Sequence, residues 1–438
     1  MPAVNLAKLK IRNHCWGIER VPVRYFILVI MILASLPAVA EQDASSFTVS
    51  PLFDLRVRQE IMDGVYYFAP EPDRNWYRFR TRLGAEASGG NHEFKLLLTN
   101  EHRRSVGAGK IAFDWNELIL DQAYWTWSVN PRTKITLGRH NIIWDRGFLM
   151  LESHPLDGSR SIYHNSVRLR TPLAGGELDL SLIHNPKRDP IVLAGDNDLP
   201  LTDADETAVA ARWTRGSAKW TAIWKNEVDP DHILPHLQVL TLGGRTEGTQ
   251  GETGEWVAEL AGQYQKECSS SAENPEGFAF ALQTHFADDL GKGWRGKAGY
   301  FHYSGSKGDL RSFRTPWGRW PKWSDLYIYA LIGESTPGRI TVAAWENIAA
   351  PHATVTRPLG KSFRFRFSAY YLLAPQTDWA ARGAMTQTEL KFDLLPGLDG
   401  HLLWEMLAPG GFHDGRGGLD PMTDTVHFLR WQFTYSLK

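Results

Sequence analysis

The stretch Trp76–Glu86, WYRFRTRLGAE, admits few folds. Tyr77, Phe79, Thr81, Leu83 and Ala85 alternate with Trp76, Arg78, Arg80, Arg82, Gly84 and Glu86. Successive side chains of a β-strand point to opposite faces, so one face is apolar and the other carries three arginines in a row. A soluble sheet would bury the apolar face and show the arginines to water. A transmembrane barrel does the reverse, with apolar residues against lipid and charge around a wet interior.

The rest of the chain favours the barrel. Phe53, Leu55 and Val57 alternate with Asp54, Arg56 and Arg58, and Phe363, Phe365 and Phe367 alternate with Arg364 and Arg366. Trp220, Ala222 and Trp224 are expected to face outward, and Trp256, Ala258, Leu260 and Tyr264 alternate with Glu259, Gln263 and Gln265. Over Asn116–Ser128 the charge of Asp121 sets the frame: Asp121 inward, with Leu118, Leu120 and Tyr124 on the lipid face. The closing strand, Thr425–Lys438, sets Leu429, Trp431, Phe433, Tyr435 and Leu437 against Arg430, Gln432, Thr434, Ser436 and Lys438. An amphipathic, aromatic C-terminal strand of this kind is a recognition element for outer-membrane barrel assembly machinery. Short Gly/Pro/Asn turns such as Gly89-Gly90-Asn91 and Asn130-Pro131 alternate with long polar connections, among them 141–160, 185–205 and 410–418. That is the pattern of short periplasmic turns and long extracellular loops.

The amino-terminal 40 residues read as a signal peptide. Lys8, Lys10, Arg12, Arg20 and Arg24 precede an apolar run, Tyr25–Leu36, and Ala38-Val39-Ala40 is a small-x-small cleavage site. Its removal takes five basic residues and Glu19, so the net charge moves from −1 to −5. Cys15 lies in this segment and Cys268 is the other cysteine, which excludes a multi-cysteine metal site. After Ala40 no run of about 18 apolar residues occurs, so no transmembrane helix is expected. Residues 41–438 are expected to form a single all-β domain, a transmembrane antiparallel β-barrel of about 18 strands, 16 being the alternative. The 18 tryptophans suit aromatic girdles at the two membrane interfaces; Trp125, Trp127, Trp220, Trp224, Trp404 and Trp431 are the candidates. An aromatic-rich secreted sandwich is the alternative fold.

Asn116–Leu151, with its NELILDQAYWTW and ITLGRHNIIWDRGFL segments, resembles the alginate-export family of outer-membrane barrels. The Arg160-Ser161 and Val167-Arg168-Leu169 segment and the closing FLRWQFTYSL share the likeness. The resemblance implies an 18-stranded monomeric barrel with an arginine-rich lumen that passes an anionic polysaccharide.

The candidate binding residues are the arginines of the polar strand faces: Arg56, Arg58, Arg78, Arg80, Arg82, Arg139, Arg168, Arg170, Arg364 and Arg366. A guanidinium stays charged and grips carboxylates in a two-pronged fork, so a file of them would let anions step through a pore. The competing reading pairs them with Glu60, Glu86, Asp121, Glu259 and Glu389 in a salt-bridge lattice, and the two can coexist. His164-Asn165-Ser166 places His and Ser on one strand face, reminiscent of an outer-membrane phospholipase. No group to orient the histidine is evident, so no catalytic residue is assigned. Asp145, Asp196 and Asp198 match no calcium-loop spacing, and neither metal nor cofactor is expected. No nucleotide fingerprint occurs, and the period-two arginines do not suit nucleic acid. The expectation is therefore a Gram-negative outer-membrane channel, in contact with lipid, passing an anionic saccharide by passive diffusion. A porin for small anionic solutes is the alternative, and a lipid hydrolase the more remote one.

Overall fold

The computed structural model describes residues 47–64, 74–106, 116–151, 164–195, 202, 204–268, 275–308, 310–317, 323–327, 347–413 and 424–437. The leader read at 1–40, together with Asp196 and Asp198, lies outside them. The strands are β1 (Thr48–Asp63), β2 (Arg74–Gly89), β3 (His92–Ser105), β4 (Asn116–Asn130), β5 (Thr133–His140), β6 (His164–Leu173), β7 (Gly176–Asn185) and the short β8 (Val192–Ala194). They continue as β9 (Asp205–Arg215), β10 (Ala218–Val228), β11 (Leu237–Gln250), β12 (Gly254–Glu267), β13 (Glu276–Gly291) and β14 (Trp294–Tyr303). The last five are β15 (Ile348–Leu359), β16 (Phe363–Ala374), β17 (Ala380–Leu395), β18 (Leu398–Pro409) and β19 (Val426–Ser436).

Neighbours in sequence pair antiparallel around a ring. β7 passes directly to β9, and β19 pairs back onto β1 from Asp54↔Ser436 to Asp63↔His427. Closure satisfies every strand edge, which is what lets a sheet cross lipid. Among the described residues eighteen strands make the wall, and β8 lies apart, bridged to the start of β4. The fold is the closed 18-stranded antiparallel barrel of outer-membrane proteins.

The wall is turned as the opening stretch requires. Arg58 and Arg78 are 1 % and 0 % exposed, whereas Leu83, on the opposite face of β2, is 58 % exposed. Phe363 and Phe367 lie on the outer surface, as do Trp220, Leu242 and Leu260. The phenylalanines of β16 therefore look away from the molecule and exclude the sandwich. Trp127, Trp213, Trp220, Trp256 and Trp294 stand near short turns, with the Trp213 and Trp220 rings 5.1 Å apart, as an interface belt requires.

One frame differs from the sequence reading. Tyr124 was expected against lipid. It lies opposite Lys95 on the inner face, and its ring packs 5.7 Å from His140. A bulge is the reason: Leu97 pairs with Gln122 but Leu98 with Leu120, so Asp121 is an extra residue and alternation slips by one. Leu118, Leu120 and the buried Asp121 keep their expected sides; Trp125 and Trp127 take the outer face beyond the bulge, stacked 6.5 Å apart.

The connections divide into two rims. Two- and three-residue turns join β2–β3, β4–β5, β6–β7, β9–β10, β11–β12, β13–β14, β15–β16 and β17–β18. The other connections are longer, and two of them turn inward. The 141–151 segment buries Ile142, Trp144, Phe148, Leu149, Met150 and Leu151. In the connection from β14 to β15, the described stretches 310–317 and 323–327 bury Phe313, Trp317, Leu326 and Tyr327. Both pack in one cluster against inner-face residues such as Ala208, Ala210, Ile223, Ala261 and Ala281. The small alanines leave the room that the loops occupy. The Trp317 N–H donates to the Leu149 carbonyl at 3.0 Å, joining the two loops to each other.

Candidate functional site

The inner wall and the two inward loops enclose the candidate site. Its first feature is an ion cluster on β1, β2, β3 and β19. Glu60 accepts from Trp76 Nε1 at 2.8 Å, from Arg78 Nη1 at 3.3 Å and from Arg430 Nε at 2.9 Å, with Arg58 Nε 3.2 Å away. Arg78 also reaches Glu101 at 3.2 Å. Arg430 extends to Asp325 of the inward loop at 2.9 Å. Nearer the short-turn rim, Asp54 takes Arg80 at 2.8 Å and Arg82 at 3.0 Å. The register sets Arg56 opposite Arg80 and Arg58 opposite Arg78. Like charges face each other there, and the carboxylates two residues along offset the repulsion.

The remaining sequence candidates are placed as follows. Arg168 grips Asp179 with both prongs, at 2.8 and 2.5 Å, and Trp144 Nε1 donates to the same carboxylate at 3.0 Å. Arg170 shares that face, closer to the turn. Arg139 is buried, held by Asp189 at 2.9 Å and by Asn165 at 3.1 Å. Along its own strand Thr136 and Gly138 take the inner face with Tyr124, so Arg139, expected in the lumen, points the other way and clamps the 186–195 segment. Gly138 precedes it at φ 117°, where a Cβ would meet the Ala123 carbonyl at 2.3 Å. Arg366 pairs with Glu389 at 2.9 Å, while Arg364 is exposed opposite Lys391. Glu86 contacts Lys95 at 2.6 Å, Asp121 accepts from Thr99 Oγ1 at 2.7 Å, and Glu259 binds Arg245 at 3.1 Å.

The second feature was not foreseen from the sequence. The Trp144–Gly147 turn closes through a Gly147 N–H to Trp144 carbonyl bond of 2.9 Å and holds Asp145 at φ 53°. Aspartate tolerates this left-handed conformation better than most residues. It aims the carboxylate at Arg212, Lys219 and Arg245 of β9, β10 and β11. Glu247 and Glu259 complete the set, at 2.6 and 3.1 Å from Arg245. A narrow gap lined by Trp144, Asp145, Arg212, Lys219, Arg245 and Glu259 remains between loop and wall. Deeper, Lys225 binds Glu206 at 2.7 Å and Glu227 at 2.9 Å, and Trp317 Nε1 donates to Glu206 at 2.9 Å. Across the barrel, Glu405 accepts from Ser324 Oγ at 2.9 Å and from the Leu326 N–H at 2.6 Å, seating the 323–327 turn on β18. The sequence signal for these residues was a charge set between outward-facing and apolar neighbours, as Lys225 beside Trp224 and Glu405 beside Trp404.

His164 and Ser166 share the inner face of β6, both buried. The histidine beside Ser166 is His140, whose Nε2 lies 3.3 Å from Ser166 Oγ. His140 Nδ1 faces the Gly138 carbonyl at 3.2 Å, where a hydrolase would need a carboxylate. Among the described residues no group of three His, Cys, Asp or Glu side chains could hold a metal ion.

No described family and no curated protein matches the chain by sequence. Solved structures do match by fold. Acinetobacter baumannii OccAB1 aligns over 91% of this chain and 99% of its own, with a TM-score of 0.57 and 10% identity. Pseudomonas aeruginosa OccK2 (OpdF), solved in complex with glucuronate, aligns over 89% and 97%, with a TM-score of 0.55 and 12% identity. P. aeruginosa OpdK, solved with vanillate, aligns over 89% and 98%, at 0.54 and 11%. At such identities the likeness concerns the fold. None of these three carries the name of the alginate-export family.

Proposed function

We propose that the chain is an outer-membrane channel that passes small anionic solutes by passive diffusion. The observation that carries this reading is the pair of inward stretches, 141–151 and 310–317, whose apolar residues pack against the inner wall and take up part of the lumen, with Asp145 set against Arg212, Lys219 and Arg245. A small solute can thread a gap between a loop and a wall, whereas a hydrated polysaccharide needs the loops out of the way. The arginines on the inner wall serve chiefly as a paired lattice, with Arg364 and Arg366 nearest to free solvent, and such charge biases a pore by sign. Glucuronate and vanillate, found with two channels of the same fold, are both carboxylates, which supports the same class of cargo here.

The test is conductance of the purified protein in planar bilayers. A reversal potential showing anion preference, with current blocked by glucuronate and unaffected by glucose, is the expected result. Cation preference overturns the reading. Faster passage of an oligouronate than of glucuronate would return the assignment to a polysaccharide exporter.

A further inference from the structure

Most buried cations of the inner wall touch a carboxylate. On β9 to β12, Asp145, Glu206, Glu227, Glu247 and Glu259 answer Arg212, Lys219, Lys225 and Arg245. The adjoining wall, β13 to β15, is different. Lys297 projects inward from β14, and the charges it feels are those of Arg146 and Arg366, both cations. His285 of β13 feels Lys297, Arg146, Arg245 and His352. Arg366 has Glu389; no carboxylate stands in that role for Lys297 or Arg146 among the described residues.

The backbone gathers these groups. Gly299 lies between His285 and His352 in the ladder, and Lys297 sits two residues away on the same face, opposite Ala287 and Thr354. A Cβ at Gly299 would meet His352 Nε2 at 2.6 Å, so the imidazole lies across the glycine. Packing against Tyr370, with ring centroids 5.3 Å apart, fixes that ring, and His352 Nδ1 is buried without a hydrogen-bond partner. Small residues at Ala287 and Gly299 keep the floor low. The cluster is also open: Lys297, His285 and His352 are half-buried and Arg146 is exposed, whereas Glu60 and its arginines are sealed.

Cations held on one side of a half-buried wall without a counter-charge repel one another, and a carboxylate that accepts from them relieves that repulsion through charge-assisted hydrogen bonds. We propose that Lys297, Arg146, His285 and His352, grouped around Gly299, form the resting site of a small carboxylate in the lumen. This rests on the channel reading above. Lys297 supplies the charge, Arg146 of the inward loop is the second arm, and the cations of the adjoining wall are already paired with carboxylates.

Single-channel block by glucuronate tests it. Lys297→Gln should raise the half-blocking concentration about tenfold, the loss of one charge-assisted bond. Lys297→Arg should stay near wild type, as should Lys361→Gln in the exposed 360–362 turn. Arg146→Gln, on a loop outside the wall, should weaken block about threefold and decides the matter if Lys297→Gln fails to fold. Wild-type block in both Gln variants, with anion preference intact, overturns the site and leaves the channel reading standing. A wild-type channel that neither prefers anions nor binds glucuronate overturns both.

Discussion

At the scale of single residues, the inner wall is governed by which charges have partners. Glu60 is fully buried and meets Arg58, Arg78, Arg430 and Trp76. Removing one member of such a cluster strands the others without water. Glu60→Ala should therefore lower unfolding stability by about 3–5 kcal/mol, read as an earlier loss of heat-modifiable migration on gels. Glu60→Gln, which keeps an acceptor without the charge, should cost less; equal losses would show that the charge carries the whole effect and the acceptor none of it. The alternation of arginines with aromatic residues was legible because period-two patterning is local. Glu60 and Glu389 were legible as partners in the same way, but Asp54, Glu101, Asp179 and Asp189 were not, since they reach Arg80, Arg78, Arg168 and Arg139 across the ladder or from a loop. Neither register nor loop path can be read from neighbours in sequence. Asp121 shows the same limit, since its own side was readable but the bulge it creates was not, and Tyr124 fell on the wrong face as a result.

Among the elements, loops set the passage. The 186–195 and 229–236 connections are latched together: Lys187 Nζ donates to Asp229 at 2.5 Å, and the Ile233 and Leu234 N–H groups donate to the same carboxylate at 2.8 and 2.9 Å. Burial alone would raise the Asp229 pKa, yet Lys187 and the backbone donors bring it from 3.8 to about 2. A depressed carboxylate contributes its stability above the unfolded value and loses it as pH falls through the folded one. Hydrogen exchange in these two segments, corrected for intrinsic rate, should thus be constant above pH 4 and rise from pH 4 to 2. Asp229→Asn should already exchange fast at neutral pH and show no such rise; an identical rise in the variant would refute the latch. On the opposite side, Glu405→Ala removes the seat of the 323–327 turn, and mean channel conductance should increase. Unchanged conductance would mean that the turn is held by its apolar packing alone. The inward course of these loops was hidden in the sequence. The segment 141–160 reads as a polar connection, although its IIWDRGFLML run carries the apolar residues that later fill the lumen. A long apolar loop in a barrel has only two places to go, lipid or lumen, and charges such as Asp145 exclude the first.

For the whole molecule, the governing feature is the inverted wall. Leu260 stands on the outer face of β12, and Leu260→Arg should destabilise the barrel by about 2–4 kcal/mol in lipid, measured by reversible unfolding from vesicles. The same change at Gln250, on the same outer face and exposed beside the 251–253 turn, should cost little. Equal costs at both positions would contradict a hydrocarbon belt around the middle of the strands. The strand number was legible from length and turn spacing, because lipid thickness fixes how long each ribbon can be.

The ring is sewn shut by its two ends, with Thr48–Asp63 hydrogen-bonded to Val426–Ser436. Until that last ribbon docks during assembly, a sheet of the other seventeen has two raw borders, and each border is an invitation to foreign chains. The most perilous moment in the life of this protein is thus the interval before its two ends meet. Deleting 426–438 should abolish insertion altogether, sparing no smaller pore, and leave the remainder as aggregate in cell fractions.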